Sequence, residues 1–279
     1  MKKNNNKKVD KVNLILLGVL ALGLMLIAYP TFADAWNRYH SYHEIRSYTE
    51  RIEDMDGSEF VRMREEAYEY NRNLGDKGPT YSLTDEEMKT YLSILDVDGR
   101  GMMGYIYIPK IRVTLPLYHT IEDKILQKAI GHMPGTSLPV GGEGTHCVIS
   151  GHRGLPSAKL FSDIDQLKEG DVFMIQVLDD TLTYEVDQIR TVLPTEMKDL
   201  RIEEGKDYCT LVTCTPYGVN THRLLVRGHR IETTEAIHVS ADATQMDMRY
   251  AALVIGIIIL LVLLVGMFIR QAMKRRNNR

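Results

Sequence analysis

The chain has 279 residues, 44% of them hydrophobic and 25% charged, with three cysteines. That length holds one middle domain of ordinary size between terminal segments, able to bury a full core without disulfides or metals, and it excludes two large catalytic domains. The net charge of -3 hides a split: residues 1–13 and 270–279 hold ten Lys/Arg and one acid, so residues 14–269 keep 24 basic against 36 acidic side chains, a poor nucleic-acid binder.

The first element is an apolar run, LILLGVLALGLMLIAYP from Leu14, behind Lys2, Lys3, Lys7, Lys8 and Lys11. The positive-inside rule places that end in the cytoplasm and exports the chain beyond the run. The run reads as a retained anchor. A cleavable signal peptide ending near Ala33-Asp34-Ala35 is the other reading of the same pattern. At the far end, Tyr250 to Ile269 contains no charge and is long enough to cross the bilayer as a helix, and Arg270, Lys274, Arg275, Arg276 and Arg279 behind it mark a second cytoplasmic end.

Between Asp34 and Met55 the positions Trp36, Tyr39, Tyr42, Ile45, Tyr48, Ile52 and Met55 recur every three or four residues, one face of a helix. Ser58 is the expected cap of a second helix that stops at Gly75. GDKGPTYS, from Gly75, has loop composition, and Thr84 with Glu87 forms a capping box opening a third helix toward Leu95. From Met103 to Ile231 the texture changes to seven β-branched and aromatic runs cut by Pro and Gly, which predicts an all-β barrel or sandwich. Asp179-Asp180 is the expected hairpin turn, ILQKAIGHM after Asp123 reads as one or two helical turns, and residues 232–249 read as a tether.

Three cysteines in an exported chain leave at least one free thiol. Cys147 and Cys209 read as small buried hydrophobes, with a disulfide between them left open. Cys214 ends the run YCTLVTC before the turn residues TPYG, so its thiol lies at a strand end. His152 sits between glycines in VISGHRG, on a loop after a strand, and Arg223 returns nine residues after Cys214 on what reads as an antiparallel neighbour. A thiol nucleophile, a proton-handling imidazole and a fixed guanidinium for an oxyanion form a coherent cysteine acyl-transfer set. The pattern contains no metal-ligand spacing and implies no cofactor.

HMPGTSLPVGGEGTHCVISGHRG and DYCTLVTCTPYGVNTHRLLVRGHR resemble the two signature blocks of sortases, and in particular class C, the pilin-polymerising sortases. The resemblance runs from about Gly104 to Ile231 and places His152, Cys214 and Arg223 in the catalytic positions. It implies a mainly β fold, a seven- to eight-stranded barrel with an N-terminal helical extension and flanking transmembrane helices. The expected division is a basic tail and first membrane segment (1–33), a helical extension with a candidate lid loop (34–100), the catalytic barrel (101–232), a linker (233–249), a membrane helix (250–269) and a basic tail (270–279).

By the same resemblance, Cys214 attacks the Thr-Gly bond of a Leu-Pro-x-Thr-Gly-like sorting signal and forms a thioacyl enzyme. The acyl group then passes to a lysine amine of a neighbouring pilin, and His152 handles the protons. The implied partners are pilins or surface proteins with such signals, and the membrane. Class C enzymes often carry an Asp-Pro-aromatic lid tripeptide in the extension, and none occurs here. The alternatives are a sortase that attaches proteins to peptidoglycan, an inactive sortase-like binding module, and a surface structural protein. For the last, residues 232–249 lack a Leu-Pro-x-Thr-Gly-like pentapeptide.

Overall fold

The computed structural model describes residues 5–74 and 83–233, with Gly256 and Leu260 beyond them. The candidate lid loop (75–82), most of the tether and, those two helical residues apart, the second membrane run lie outside the described residues. Residues 36–239 form a compact unit of their own.

Helix α1 (Asn5–Glu53) joins what the sequence divides: the apolar run and the amphipathic stretch after Asp34 are one helix with Pro30 inside it. Proline withdraws one backbone donor, and the good helix formers on both sides supply the remaining bonds. Among the described residues this is the one helix long and apolar enough to span a membrane, and Ile15, Leu16, Val19, Leu22 and Met25 along it are exposed. Helix α2 (Gly57–Leu74) begins before Ser58, the expected cap. Asp56 starts it instead: its carbonyl accepts from Glu59 and Phe60, and its carboxylate accepts from the Ser58 hydroxyl. Helix α3 (Asp85–Ser93) has the full Thr84/Glu87 capping box.

These helices are tied to the barrel through buried polar groups. The Tyr48 hydroxyl donates to the Met103 carbonyl at 2.9 Å and accepts from the Leu178 amide at 2.8 Å, linking α1 to two strand ends. The amide of Asn71 on α2 makes a reciprocal pair with the backbone of Leu138, at 2.7 and 3.1 Å. The hydroxyl of Tyr91 on α3 accepts from the Thr120 amide at 3.1 Å and lies 3.0 Å from His132 Nδ1. Each bond satisfies a group that burial would otherwise leave at a cost.

Eight strands close into a barrel: β1 (Met102–Ile108), β2 (Val113–His119), β3 (Ile130–His132), β4 (Thr145–Ser150), β5 (Val172–Val177), β6 (Asp180–Val192), β7 (Asp207–Thr215) and β8 (His222–Ile231). Their order around the barrel is β1-β2-β3-β4-β7-β8-β6-β5, so no edge is left open. Seven follow the runs read in the sequence. The eighth, β3, comes from the stretch read as helical: only Asp123–Leu126 forms a helix (α4), and Ile130–His132 pairs with β2 and β4. Three residues carry too little periodicity to be read as a strand. The β5–β6 turn is Leu178-Asp179, one residue earlier than expected, because Val177 pairs with Asp180 and Leu178 takes φ +51°.

All pairings are antiparallel except β2 with β3 and β4 with β7. Along β4 and β7 the side chains alternate. Cys147, Ile149, Cys209 and Leu211 join the main core, while Val148 and Val212 join a second cluster with Met133, Val192, Leu200 and Leu225. Cys147 and Cys209 are direct partners across the parallel pair, both buried and both free thiols. Burial pushes the Cys209 thiol well above its ordinary pKa and keeps it unreactive.

His146, on the β4 face away from these thiols, contributes to the fold's acid sensitivity, as does His119, whose pKa burial also lowers. His146 Nδ1 lies 2.8 Å from the Arg201 carbonyl and must donate to it, so Nε2 accepts from the Thr210 hydroxyl at 2.7 Å. Burial lowers its pKa from 6.5 to about 4. The unfolded chain therefore takes up this proton first, and stability falls as pH drops from about 6.5 towards 4, by up to about 3 kcal/mol. His146→Gln is expected to flatten that limb of a denaturant-derived stability–pH curve; a limb of unchanged steepness would show that other groups carry it.

Candidate active site

The β4/β7 pairing builds the site. These strands are parallel and in register as Cys147 with Cys209 and Ser150 with Val212, so their C-terminal ends emerge side by side. His152 and Cys214 each follow two residues after that last pair, and both line the same cleft. The ends are fastened past the last ladder pair: the Gly151 amide donates to the Val212 carbonyl at 3.1 Å, and the Thr213 hydroxyl donates to the Gly151 carbonyl at 2.8 Å. Gly151 must be glycine because a Cβ there would lie 2.6 Å from the Phe161 ring. Strand β8 runs back along β7 and places Arg223 directly opposite Cys214.

His152, Cys214 and Arg223 thus line one cleft of about 290 Å³, the size of a small-ligand site. Its other walls are the apolar side chains of the second cluster, among them Met133, Val192, Leu200, Val212 and Leu225, with Ile121 and Leu126 at the side of β3. All three polar residues are partly exposed, unlike the other two cysteines. The Arg223 guanidinium is braced by its own turn, where Nη1 donates to the carbonyls of Asn220 and His222 at 3.3 and 3.1 Å. An accessible thiol, an imidazole and a braced cation around one apolar cleft can attack, protonate and stabilise at a carbonyl.

The sequence left several residues of this region unremarked. Arg153 ion-pairs with Asp165 and donates to the Thr215 hydroxyl, and its guanidinium lies 5.8 Å from the centre of the Tyr217 ring. Glu196, in the β6–β7 connection, is the acidic residue among those lining the cleft. Their chain positions carry no periodic or spacing signal; only the packing of three connections against one another reveals them. Among the described residues no group of three or more His, Cys, Asp or Glu side chains could hold a metal ion.

A closed eight-stranded barrel with a cysteine at the end of β7 defines a class, and comparison with known proteins supplies the family. The sortase domain model matches residues 106–231. Sortase A of Bacillus anthracis is 24% identical over 229 residues, which is 82% of this chain and 98% of that protein. Among solved structures, sortase C1 of Streptococcus agalactiae is 53% identical with a TM-score of 0.67, over 68% of this chain and 99% of that one. Streptococcus pneumoniae sortase C is 44% identical, with a TM-score of 0.63, over 70% of this chain and all of that one. Sortase C of Clostridium perfringens, solved with the C-terminal cell wall sorting motif, is 42% identical with a TM-score of 0.60, over 68% of this chain and 99% of that one. The chain belongs to the sortase family of cysteine transpeptidases, and the solved structures it resembles include class C sortases.

Proposed function

We propose that this chain is a pilin-polymerising transpeptidase that cleaves a Leu-Pro-x-Thr-Gly-like sorting signal and joins the freed acyl group to a lysine amine of a neighbouring pilin. The observation that carries the reading is the meeting of Cys214, His152 and Arg223 at one cleft. The Cys214 sulfur, as thiolate, attacks the threonine carbonyl carbon, and the Arg223 guanidinium stabilises the oxyanion that forms. As the Thr–Gly bond breaks, the glycine nitrogen takes a proton from His152 and leaves. The thioester then meets the lysine amine, whose proton returns to His152. An isopeptide bond forms and the Cys214 sulfur is released.

The same reading puts the barrel outside the cell, held by a retained α1, with a linker after residue 232, a second membrane helix over 250–269 and both basic tails in the cytoplasm. Exposed Tyr29 and Phe32 lie on α1 where the apolar run ends, the depth at which aromatic side chains favour the membrane interface. Incubating the full-length chain in detergent with a sorting-signal peptide should add the cleaved peptide's mass to Cys214. Adding a pilin should then convert the adduct into a covalent ladder. Transfer to a peptidoglycan stem amine with no ladder would replace the polymerase reading by that of an attachment enzyme.

A further inference from the structure

Arg153 follows His152 directly, and its side chain holds together the connections that converge on the cleft. The side chain is only 11% exposed, and its guanidinium reaches three ways. One arm pairs with Asp165 in the 3-10 turn of the long β4–β5 connection, and Nη1 lies 3.4 Å from the Thr215 hydroxyl, next to Cys214. The guanidinium carbon lies 5.8 Å from the centre of the Tyr217 ring, in the turn between β7 and β8. The backbone shows how closely these segments approach. A Cβ on Gly154, which has φ +80°, would lie 3.0 Å from the Tyr217 ring. The Gly154 amide donates to the Ser162 hydroxyl and the Phe161 amide to the His152 carbonyl, both at 3.1 Å.

This arrangement matters because His152 lies beyond the end of β4 and has no ladder bond of its own to hold it beside β7. Thr213 and Gly151 fasten the backbone one residue earlier. Arg153 fastens it one residue later, and it does so to Thr215, the strand residue that follows Cys214. Since Asp165 is 43% exposed, the ion pair adds little to stability. Its consequence is geometric: a forked, planar donor set fixes distance and angle in a way that a point charge cannot.

We propose that Arg153 is a positioning residue that sets the approach of His152 to Cys214 by clamping the β4–β5 connection, through Asp165, to the end of β7 at Thr215 and to the β7–β8 turn at Tyr217. The proposal rests on the reading of His152 and Cys214 as the reacting pair. Misplacing a reacting group by about 1 Å can cost on the order of 10²-fold in rate, so the clamp should appear in turnover and leave peptide affinity alone.

The test uses the full-length chain in detergent with a sorting-signal peptide, and in parallel the pH dependence of Cys214 alkylation by iodoacetamide, which needs no substrate. Arg153→Ala is expected to lower kcat by about 10²-fold with KM within roughly threefold, and to move the alkylation profile towards that of His152→Ala. Arg153→Lys, which keeps the ion pair and loses the fork, should fall between. Thr215→Val should lower kcat less, and its effect should shrink in the Arg153→Ala background, since both act on one contact. The proposal is overturned if Arg153→Ala stays within roughly threefold of the parent kcat, or if its alkylation profile is unmoved. Should Arg153→Ala fail to fold, Asp165→Asn and Thr215→Val decide: parent-like kcat and alkylation in both overturns it. If no variant, the parent included, cleaves the peptide while the alkylation profile still shifts, the substrate reading fails and the clamp stands.

Discussion

Cys214→Ala is expected to abolish peptide cleavage, by a factor on the order of 10⁴ or more, while leaving the barrel intact. The size follows from chemistry: without the sulfur no acyl-enzyme can form, and the remaining groups can only assist attack by water. Retention of the fold follows from place. Cys214 is the penultimate residue of β7, partly exposed at the rim of the cleft, so the loss of one sulfur atom leaves no sealed cavity. Cys147 and Cys209 cannot substitute, because both thiols lie inside the barrel. Thiol counting provides the check: one fast-reacting cysteine in the native parent, none in native Cys214→Ala, and two once that variant is unfolded. Undiminished turnover in the variant would remove the assignment of the nucleophile.

Arg223→Ala is expected to lower kcat by about 10² to 10³-fold, the usual consequence of deleting an oxyanion donor. The β-ladder sets the geometry behind this: Arg223 is the cross-strand partner of Cys214, so its guanidinium starts from the Cα nearest to the nucleophile on β8. Two of its donor contacts go to backbone carbonyls of its own turn, which limits the side chain's freedom before substrate arrives. A preorganised charge spends no reorganisation energy at the moment of reaction. Arg223→Lys separates charge from fork: a lysine that restores most of kcat would mean that charge alone suffices, whereas a residual deficit above roughly tenfold would assign the effect to the paired donors. If KM alone rose while kcat held, Arg223 would bind the substrate uniformly and would not serve the transition state. A fall of less than about threefold would argue against the role altogether.

These two expectations draw on different kinds of legibility. Cys214 was readable as a free thiol at a strand end because TPYG ends the run, but frequency alone would make it one more buried cysteine. The His152 and Arg223 blocks reverse that weighting through resemblance to a family. Arg153 had no such help. It sits beside the most conspicuous histidine in the chain, yet its partners are 12, 62 and 64 positions away, at Asp165, Thr215 and Tyr217, and no local pattern links them.

The helical extension divides along the same line. The Thr84/Glu87 capping box was legible because both partners lie within one turn, and it is present as read. At α2 the local signal pointed to Ser58, and the helix starts from Asp56, since Asp and Ser two positions apart compete for the same orphan amides. The separation of the apolar run from the helix after Asp34 dissolved, because hydropathy changes there while helical backbone geometry does not.

By itself the sequence determined the type and rough limits of seven strands, the capping box and the apolar terminal runs, and it singled out the three residues proposed for acyl-transfer chemistry. All of these are written in periodicity, turn residues or contiguous motifs, and so depend on neighbours along the chain. Only the tertiary structure decided that β4 and β7 lie side by side and parallel, that Cys147 meets Cys209 inside the barrel, and that His152 and Cys214 line one cleft. A parallel pair needs a long crossover, here everything between Ser150 and Asp207, and the pairing is chosen by closure of the whole barrel and burial on both sides of the strands, quantities that no local window contains.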